Sequence, residues 1–360
     1  MRRIPTRRAR AGVAYSEAMK TRVLGALSLL ALFALSAGPR AGAQTDAMPA
    51  PGFHHLHLNS MNPDAAIAFY TRAFPTTSKA TWSGLPALKS PNNVLVLFTR
   101  VDQPPATQPQ TAVWHFGWHV TSERSAMARM RADGVTLLPL YITGEGGTVN
   151  INSDTWPGTG GVLGLTKAQI EEAKKNNVKP AGGPGFAYIR GPDDALIEVQ
   201  GDMPAERFNH VHMYQEDPFC ARLWYQKHLN AAVPQGRRGA GETRTEANCK
   251  VPRGADRTWP ALEVDGMYRT PSAGVVFGDV AMNWYMRQGD SPLVATRGHL
   301  VDHIALSVTG LDRWIAKLRG DNVKTLDGPY TIGDARAIMI EGPSREAIEL
   351  VETRTGPSSE

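Results

Sequence analysis

The sequence predicts an α+β fold built from four copies of one unit: a strand, a helix, then about three strands. Three observations predict it. "HHLHLNSMNPDAAIAFY" from His54 and "NHVHMYQEDPFCARLWY" from Asn209 share a pattern: counted from His55 and from His210, a second His follows at +2, Pro at +8 and Tyr at +15. "HFGWHVTSERSAMARMRADGV" from His115 and "HIALSVTGLDRWIAKLRGDNV" from His303 share another, with an apolar residue at +15, Arg at +16, Asp at +18 and Val at +20. Each of the latter leads to a Gly-Pro and then a Glu at one offset, "GPDDALIE" ending at Glu198 and "GPSREAIE" at Glu349.

The elements follow in order. "FHHLHLNS" alternates as a strand, "NPD" breaks it, and "AAIAFYTRAF" has helical spacing. "NHVHMYQ", "EDP" and "FCARLWYQKHL" repeat that grammar. "WHFGWHVT" and "DHIALSVT" read as strands, each followed by a helix that ends in an Asp-Gly or Asp-Asn turn. Short strand-like runs come after the helices: "NVLVLFTR", "GFAYIRG" and "ALIEVQG" in the first half, "AGVVFGDV", "MNWYMRQ", "RAIMIEGP" and "AIELVE" in the second. Tyr70 and Tyr225 fall on helices that must bury one face, so they are expected in the core.

With two units in each half, the first domain is read as residues 52–203 and the second as 206–353. The halves differ by an insert at about 141–183, Gly-rich and then helical around Lys167–Asn177. An insert of this kind serves as a lid, a solvated decoration or a contact to a second copy, so a homodimer stays open.

The chain has 360 residues, 42% hydrophobic and 20% charged, a soluble globular composition. Its basic balance is concentrated at one end. Residues 1–43 hold eight Lys/Arg against Glu17 alone, leaving 31 basic and 33 acidic residues elsewhere. A near-neutral body excludes a polyanion partner, so no nucleic acid is expected. The basic stretch ends at Arg22, an apolar run spans Val23–Ala37, and Ala41-Gly42-Ala43 offers small residues for cleavage. This is the order of a secretory signal peptide, and the run is short for a membrane span. The expectation is a periplasmic or secreted protein with no stable membrane insertion once the leader is removed. Such a compartment would let Cys220 and Cys249 pair; two unpaired thiols are equally compatible with the sequence.

Eight of the ten histidines (54, 55, 57, 115, 119, 210, 212 and 303) lie in the four strand-opening segments; His228 and His299 do not. Residues two apart on a strand share a face. His55 therefore points with His57, His210 with His212, and His115 with His119. Each half thus carries His, His and Glu in one order, and two imidazoles with a carboxylate form a divalent metal's donor set. Trp114, Trp118, Trp284 and Tyr285 could line an apolar pocket or pack the core.

These residues resemble the vicinal oxygen chelate superfamily, which includes glyoxalase, extradiol dioxygenases and bleomycin-resistance proteins. The resemblance covers about residues 52–353. It rests on the H-x-H openings at His55 and His210, the "AFY" and "LWY" helices, the "GPDDALIEVQ" and "GPSREAIELVE" endings, and the fourfold unit. It implies βαβββ modules, four of them forming two tandem cup-shaped glyoxalase-like domains around divalent ions: Fe(II), Mn(II), Zn(II) or Ni(II). By position, the family's ligands fall on His55, His115 and Glu198 in the first half and on His210, His303 and Glu349 in the second. "NVLVLFTR" and "AGVVFGDV" offer no Glu for a fourth ligand. His57 and His212 are the candidates for moving a proton or for bracing the ligands.

The functional expectation is an exported metal-dependent enzyme that acts on a small organic substrate chelated through adjacent oxygens. Its chemistry would be lyase- or isomerase-like, or dioxygenase-like. The stretch "IMIEGPSREAIE" lacks the Tyr-x-x-Asp-Pro that ring-cleaving members usually carry before the last Glu. The alternative is a non-catalytic small-molecule binding or sequestering protein of the bleomycin-resistance type.

Overall fold

The computed structural model describes residues 48–138, 141–143, 147–149, 172, 175–176, 186–201, 203–233, 245–249, 272–287 and 291–353. The expected leader at 1–43, most of the insert at 141–183 and most of the helix expected around Lys167–Asn177 lie outside these residues.

The described elements fall into four groups in chain order, the third with two described strands after its helix. The first is β1 (Gly52–Ser60), α1 (Pro63–Ala73), β2 (Ser78–Trp82), β3 (Leu85–Lys89) and β4 (Leu95–Arg100). The second is β5 (Val113–His119), α2 (Glu123–Ala132), β6 (Leu137–Leu138), a ribbon of β7 (Tyr141–Thr143) and β8 (Gly147–Val149), then β9 (Phe186–Arg190) and β10 (Leu196–Gln200). The third is β11 (Arg207–Gln215), α3 (Pro218–Leu229), β12 (Ser272–Phe277) and β13 (Val280–Met286). The fourth is β14 (Val301–Val308), α4 (Leu311–Gly320), β15 (Thr325–Ile332), β16 (Ala335–Glu341) and β17 (Ala347–Glu352).

Local chemistry explains the helix starts. Pro63 and Pro218 occupy first-turn positions, where a missing N–H costs nothing. Asn62 accepts from the Ala65 N–H, and Asp217 accepts from those of Phe219 and Cys220. The residue before α4 is Gly310, with no side chain to cap, so Glu352 of β17 accepts from the Leu311 N–H at 2.9 Å. Three strands escape a periodicity reading: β2, β3 and β15 read "SKATW", "LPALK" and "TLDGPYTI". Lys, Pro and Asp sit in them because they lie at or next to sheet edges and leave many side chains in water.

The pairing of units crosses the chain order. One sheet runs β15-β16-β17-β14-β1-β4-β3-β2 and joins the fourth unit to the first; the other runs β12-β13-β11-β5-β10-β9-β6 and joins the third to the second. The expectation that each sequence half closes its own cup is therefore corrected. The seams are antiparallel pairs, β1 with β14 and β11 with β5. Sequence adjacency sets neither seam, because a unit's opening strand takes whichever exposed opening strand the fold presents.

One apolar core runs through all four units. Phe74 of the segment after α1 stacks on Trp118 of β5 with ring centroids 4.4 Å apart, and Phe53 meets Phe208 at 5.7 Å. Tyr70 and Tyr225 lie in this core, as their helical spacing requires. The turns before the closing strands tie units 1 to 2 and 3 to 4. Asp193 accepts from Ser60 Oγ at 2.6 Å and from the Met61 N–H at 3.1 Å, and Ser344 Oγ accepts from the Glu216 N–H at 3.2 Å.

Cys220 of α3 and Cys249 form a disulfide across 29 residues. A loop of that length restricts the unfolded chain by roughly 3–4 kcal/mol. Reduction, or a Cys220→Ser/Cys249→Ser chain, is expected to lower stability by about that amount in a denaturant titration. An unchanged midpoint would show that the bridge contributes nothing. Among the described residues, no helix is long and apolar enough to cross a membrane.

Candidate metal centre

Both seams put histidines on the face opposite the core, because side chains alternate along a strand. On β1, Leu56 and Leu58 enter the core while His55 and His57 face the other way; on β11, Val211 and Met213 do so while His210 and His212 do not. A register shift interrupts each seam at the residue before the first of these histidines, between Phe53 and His55 and between Phe208 and His210. Such irregularities re-aim side chains. The extra residue then braces its neighbour. His54 Nδ1 lies 2.8 Å from His55 Nδ1, and Asn209 Oδ1 lies 2.8 Å from His210 Nδ1.

In the first sheet, His55, His303 and Glu349 converge. His55 Nε2 is 3.3 Å from His303 Nε2 and 3.4 Å from Glu349 Oε2, which is 3.8 Å from His303 Nε2. All three are buried. In the second sheet, His115 Nε2 is 3.0 Å from Glu198 Oε2, and His210 Nε2 is 3.8 Å from Glu198 Oε1. The structure thus brings all six expected ligands into two clusters but exchanges the partners. His55 joins His303 and Glu349, and His210 joins His115 and Glu198. The assignment of His55, His115 and Glu198 to one centre, and of His210, His303 and Glu349 to the other, is corrected for the same reason as the sheets: each seam joins units from different halves.

His57 and His212 stand beside these clusters. His57 Nε2 is 2.7 Å from Thr99 Oγ1, while a nitrogen of His57 lies within 4.8 Å of ligand nitrogens of His55 and His303. His212 Nδ1 is 3.7 Å from Glu198 Oε2, and its Nε2 is 3.0 Å from Asn283 Nδ2.

Sequence reasoning missed five outer contacts. Asp302 Oδ1 holds His303 Nδ1 at 2.7 Å, and Arg297 Nε lies 2.9 Å from the same carboxylate oxygen. Tyr330 of β15 donates to Glu349 Oε1. Thr99 and Asn283 hold the two accessory histidines. The Asp302-His303 pair was open to discovery, since a carboxylate beside a ligand histidine is a recurring device. Tyr330 was not, because it lies on a strand with no periodic signal. The four aromatics divide: Trp118 and Trp284 are fully buried in the core, whereas Trp114 and Tyr285 flank His212 at centroid distances of 6.3 and 5.2 Å. A cavity of about 310 Å³ opens beside His115, with Trp114, Tyr214, Gln110, Asp194 and His299 among its walls.

The electrostatics of the first centre are uneven. Burial drives His55 well below the ordinary histidine value, and the neighbouring imidazoles add to it. Burial likewise lowers His57 to about 3, with His303 adding and Asp302 and Glu349 opposing. Burial also acts against a charged His303, but the hydrogen bond to Asp302 and the Glu349 carboxylate 3.8 Å away outweigh it and raise the value. Glu349 is pushed up by burial and pulled further down by His303 and Tyr330, so it is lowered.

The donor atoms fit a divalent ion. Glu349 Oε2 is buried and accepts no hydrogen bond among the described residues, an arrangement a protein rarely tolerates unless something else satisfies it. It faces two imidazole nitrogens. Ligand bonds of about 2.0–2.2 Å place neighbouring donors roughly 3–3.5 Å apart, close to the spacings above. The second centre is fitted as tightly. A β-carbon at Gly117 would lie 2.3 Å from the His210 ring and 2.7 Å from the Glu198 carbonyl. Gly117→Ala is expected to cost about 1–3 kcal/mol and to displace His210. Metal content and thermal melting check this, and a variant with wild-type values in both would refute the packing argument.

No family model matches the sequence, and no curated protein matches it. Among solved structures, glyoxalase I from Zea mays aligns over 84% of this chain and 92% of its own, at a TM-score of 0.55 and 14% identity. A single-residue variant of that protein aligns over 84% and 94%, at a TM-score of 0.54 and 13% identity. Likeness at such identity is likeness of fold, and it agrees with the two mixed sheets. The chain has the fold of the vicinal oxygen chelate superfamily.

Proposed function

We propose that the protein is an exported, metal-dependent enzyme that acts on a small organic molecule held through adjacent oxygens. The observation that carries the reading is the convergence of two buried His/His/Glu clusters from strands far apart in the chain. His55, His303 and Glu349 would hold one divalent ion, and His115, His210 and Glu198 the other. A bound ion supplies Lewis acidity to a chelated pair of oxygens. The protein supplies the rest. Asp302 Oδ1 fixes the His303 ring, Tyr330 O–H fixes Glu349, and Thr99 Oγ1 fixes His57. His57, oriented in this way, accepts or returns a proton beside the first centre. Trp114 and Tyr285 exclude water next to the second.

The donor sets support an enzyme over a non-catalytic sequestering protein, because burying converging histidines and carboxylates has a cost that a purely apolar pocket avoids. The disulfide supports export, since such bonds persist in oxidising compartments.

The test is metal analysis of the purified protein, followed by turnover of α-oxygenated carbonyl compounds and of catechols with and without added metal. The expected result is bound divalent metal and metal-dependent turnover. Oxygen uptake with catechols assigns the dioxygenase branch, and turnover without uptake assigns the lyase or isomerase branch. A metal-free protein that cannot be loaded would sink the reading.

A further inference from the structure

We infer that the two centres differ in coordination: His212 gives the second a fourth protein donor, and the first has three and keeps one more position for water or a substrate oxygen. This rests on the metal reading above and deepens it.

The donor atoms of His115, Glu198, His210 and His212 all lie within 4.8 Å of one another, so all four can meet one ion. In the first sheet the histidines His55, His57 and His303 cluster in that way, without Glu349 among them. Glu349 instead sits against His55 and His303. His55, His303 and Glu349 therefore form a three-donor face, and His57 cannot join it on the carboxylate side.

The cause lies in three substitutions between otherwise matching sheets. His212 faces Asn283 across its parallel pair, and the Asn283 amide lies 3.0 Å from His212 Nε2. This leaves Nδ1 on the Glu198 side, at 3.7 Å. His57 faces Leu97 at the matching place and hydrogen-bonds Thr99, two residues further along, instead. Asn283 itself needs room, since a β-carbon at Gly274 would lie 2.3 Å from its Oδ1. His210 pairs with Gly117, over which its ring leans, whereas His55 pairs with Ala305. Two glycines and an asparagine thus crowd the second centre, and the first has none of them.

For an ion that takes six donors, four from the protein leave fewer exchangeable positions than three, so the first centre has more room for water or a substrate oxygen.

The experiment uses the full chain loaded with Mn(II), and reads water-proton relaxation and the dissociation constant. Glu349→Ala isolates the second centre and Glu198→Ala the first. The expected result is stronger relaxation from the ion of the Glu198→Ala protein, with more bound water, than from that of the Glu349→Ala protein. Adding His212→Ala or His212→Gln to Glu349→Ala should raise relaxation and weaken binding at least about 10-fold. Circular dichroism confirms that each chain folds, and the glutamine variant retains bulk if alanine does not. Equal relaxation at both centres, or His212 variants that change neither readout, would overturn the inference. Failure of the wild-type chain to bind Mn(II), Zn(II) or Fe(II) would instead remove the metal reading beneath it.

Discussion

Replacing Glu349 with alanine is expected to remove one bound metal ion and leave the other in place, and replacing His55 is expected to remove the same ion. The two residues sit near opposite ends of the described chain, yet 3.4 Å separates His55 Nε2 from Glu349 Oε2. Loss of an outer hydrogen-bond partner alone typically costs 10–100-fold in metal affinity, so loss of a donor should cost at least about that much. Residues that act on one centre are not additive. The His55→Ala/Glu349→Ala chain should therefore bind as much metal as either single variant. The His55→Ala/His115→Ala chain should bind almost none, because those two histidines belong to different clusters. Metal content after gel filtration measures this. If the His55→Ala/His115→Ala chain retained a full ion, the crossed pairing would be wrong, and grouping by sequence halves would be restored.

Acid is expected to destabilise the metal-free protein well before its surface carboxylates titrate. Burial lowers His57 to about 3 and His54 to about 4, the latter opposed by Glu349. Burial also lowers His119 to about 4, against a hydrogen bond to Gln200. For each, the unfolded chain binds a proton near pH 6.5 that the folded chain refuses until far lower. Stability is therefore intact above about 6.5 and is lost as pH falls from there towards the folded values. At about 1.4 kcal/mol per unit, a side chain as buried as His57 contributes on the order of a few kcal/mol. His303 has the opposite sign. Its value is raised, so its contribution is full below about 6.5 and disappears as pH rises through the folded value. It offsets part of the acid loss. With metal present, His303 must be neutral to serve as a ligand. Protons should thus displace the first ion close to neutrality, sooner than an unperturbed histidine would allow. Melting curves of chelator-treated and metal-loaded protein between about pH 8 and pH 4 test both points. A melting temperature that is flat from pH 7 to pH 5 without metal would show that the buried imidazoles do not govern acid stability.

Much of the site was legible because metal chemistry restricts residue type. His55, His115, His210, His303, Glu198 and Glu349 are all legible from recurrence at matching offsets, and each lies in a cluster. Their partners were not legible, because an offset says nothing about which edge a strand will pair with. The supporting contacts divide along the same line. Asp302 adjoins its ligand in sequence and was within reach of a reader. Tyr330, Thr99 and Asn283 arrive from other strands, and nothing in "TLDGPYTI", "LVLFTR" or "VAMNWYM" marks them. The strands β2 and β15 were missed because most of their side chains are exposed or half-buried, and β3 because Pro86 breaks a short run.

By itself the amino-acid sequence determined the recurring strand-and-helix pattern and the histidines and glutamates that gather in the two clusters, since these follow from periodicity, helix punctuation and recurrence at matching offsets. Only the tertiary structure decided that the first unit pairs with the fourth and the second with the third, and hence which imidazoles share a carboxylate. Hydrogen bonding across a strand edge is indifferent to chain order, so side-chain packing in the common core selects the pairing, and that packing exists only once the chain has folded.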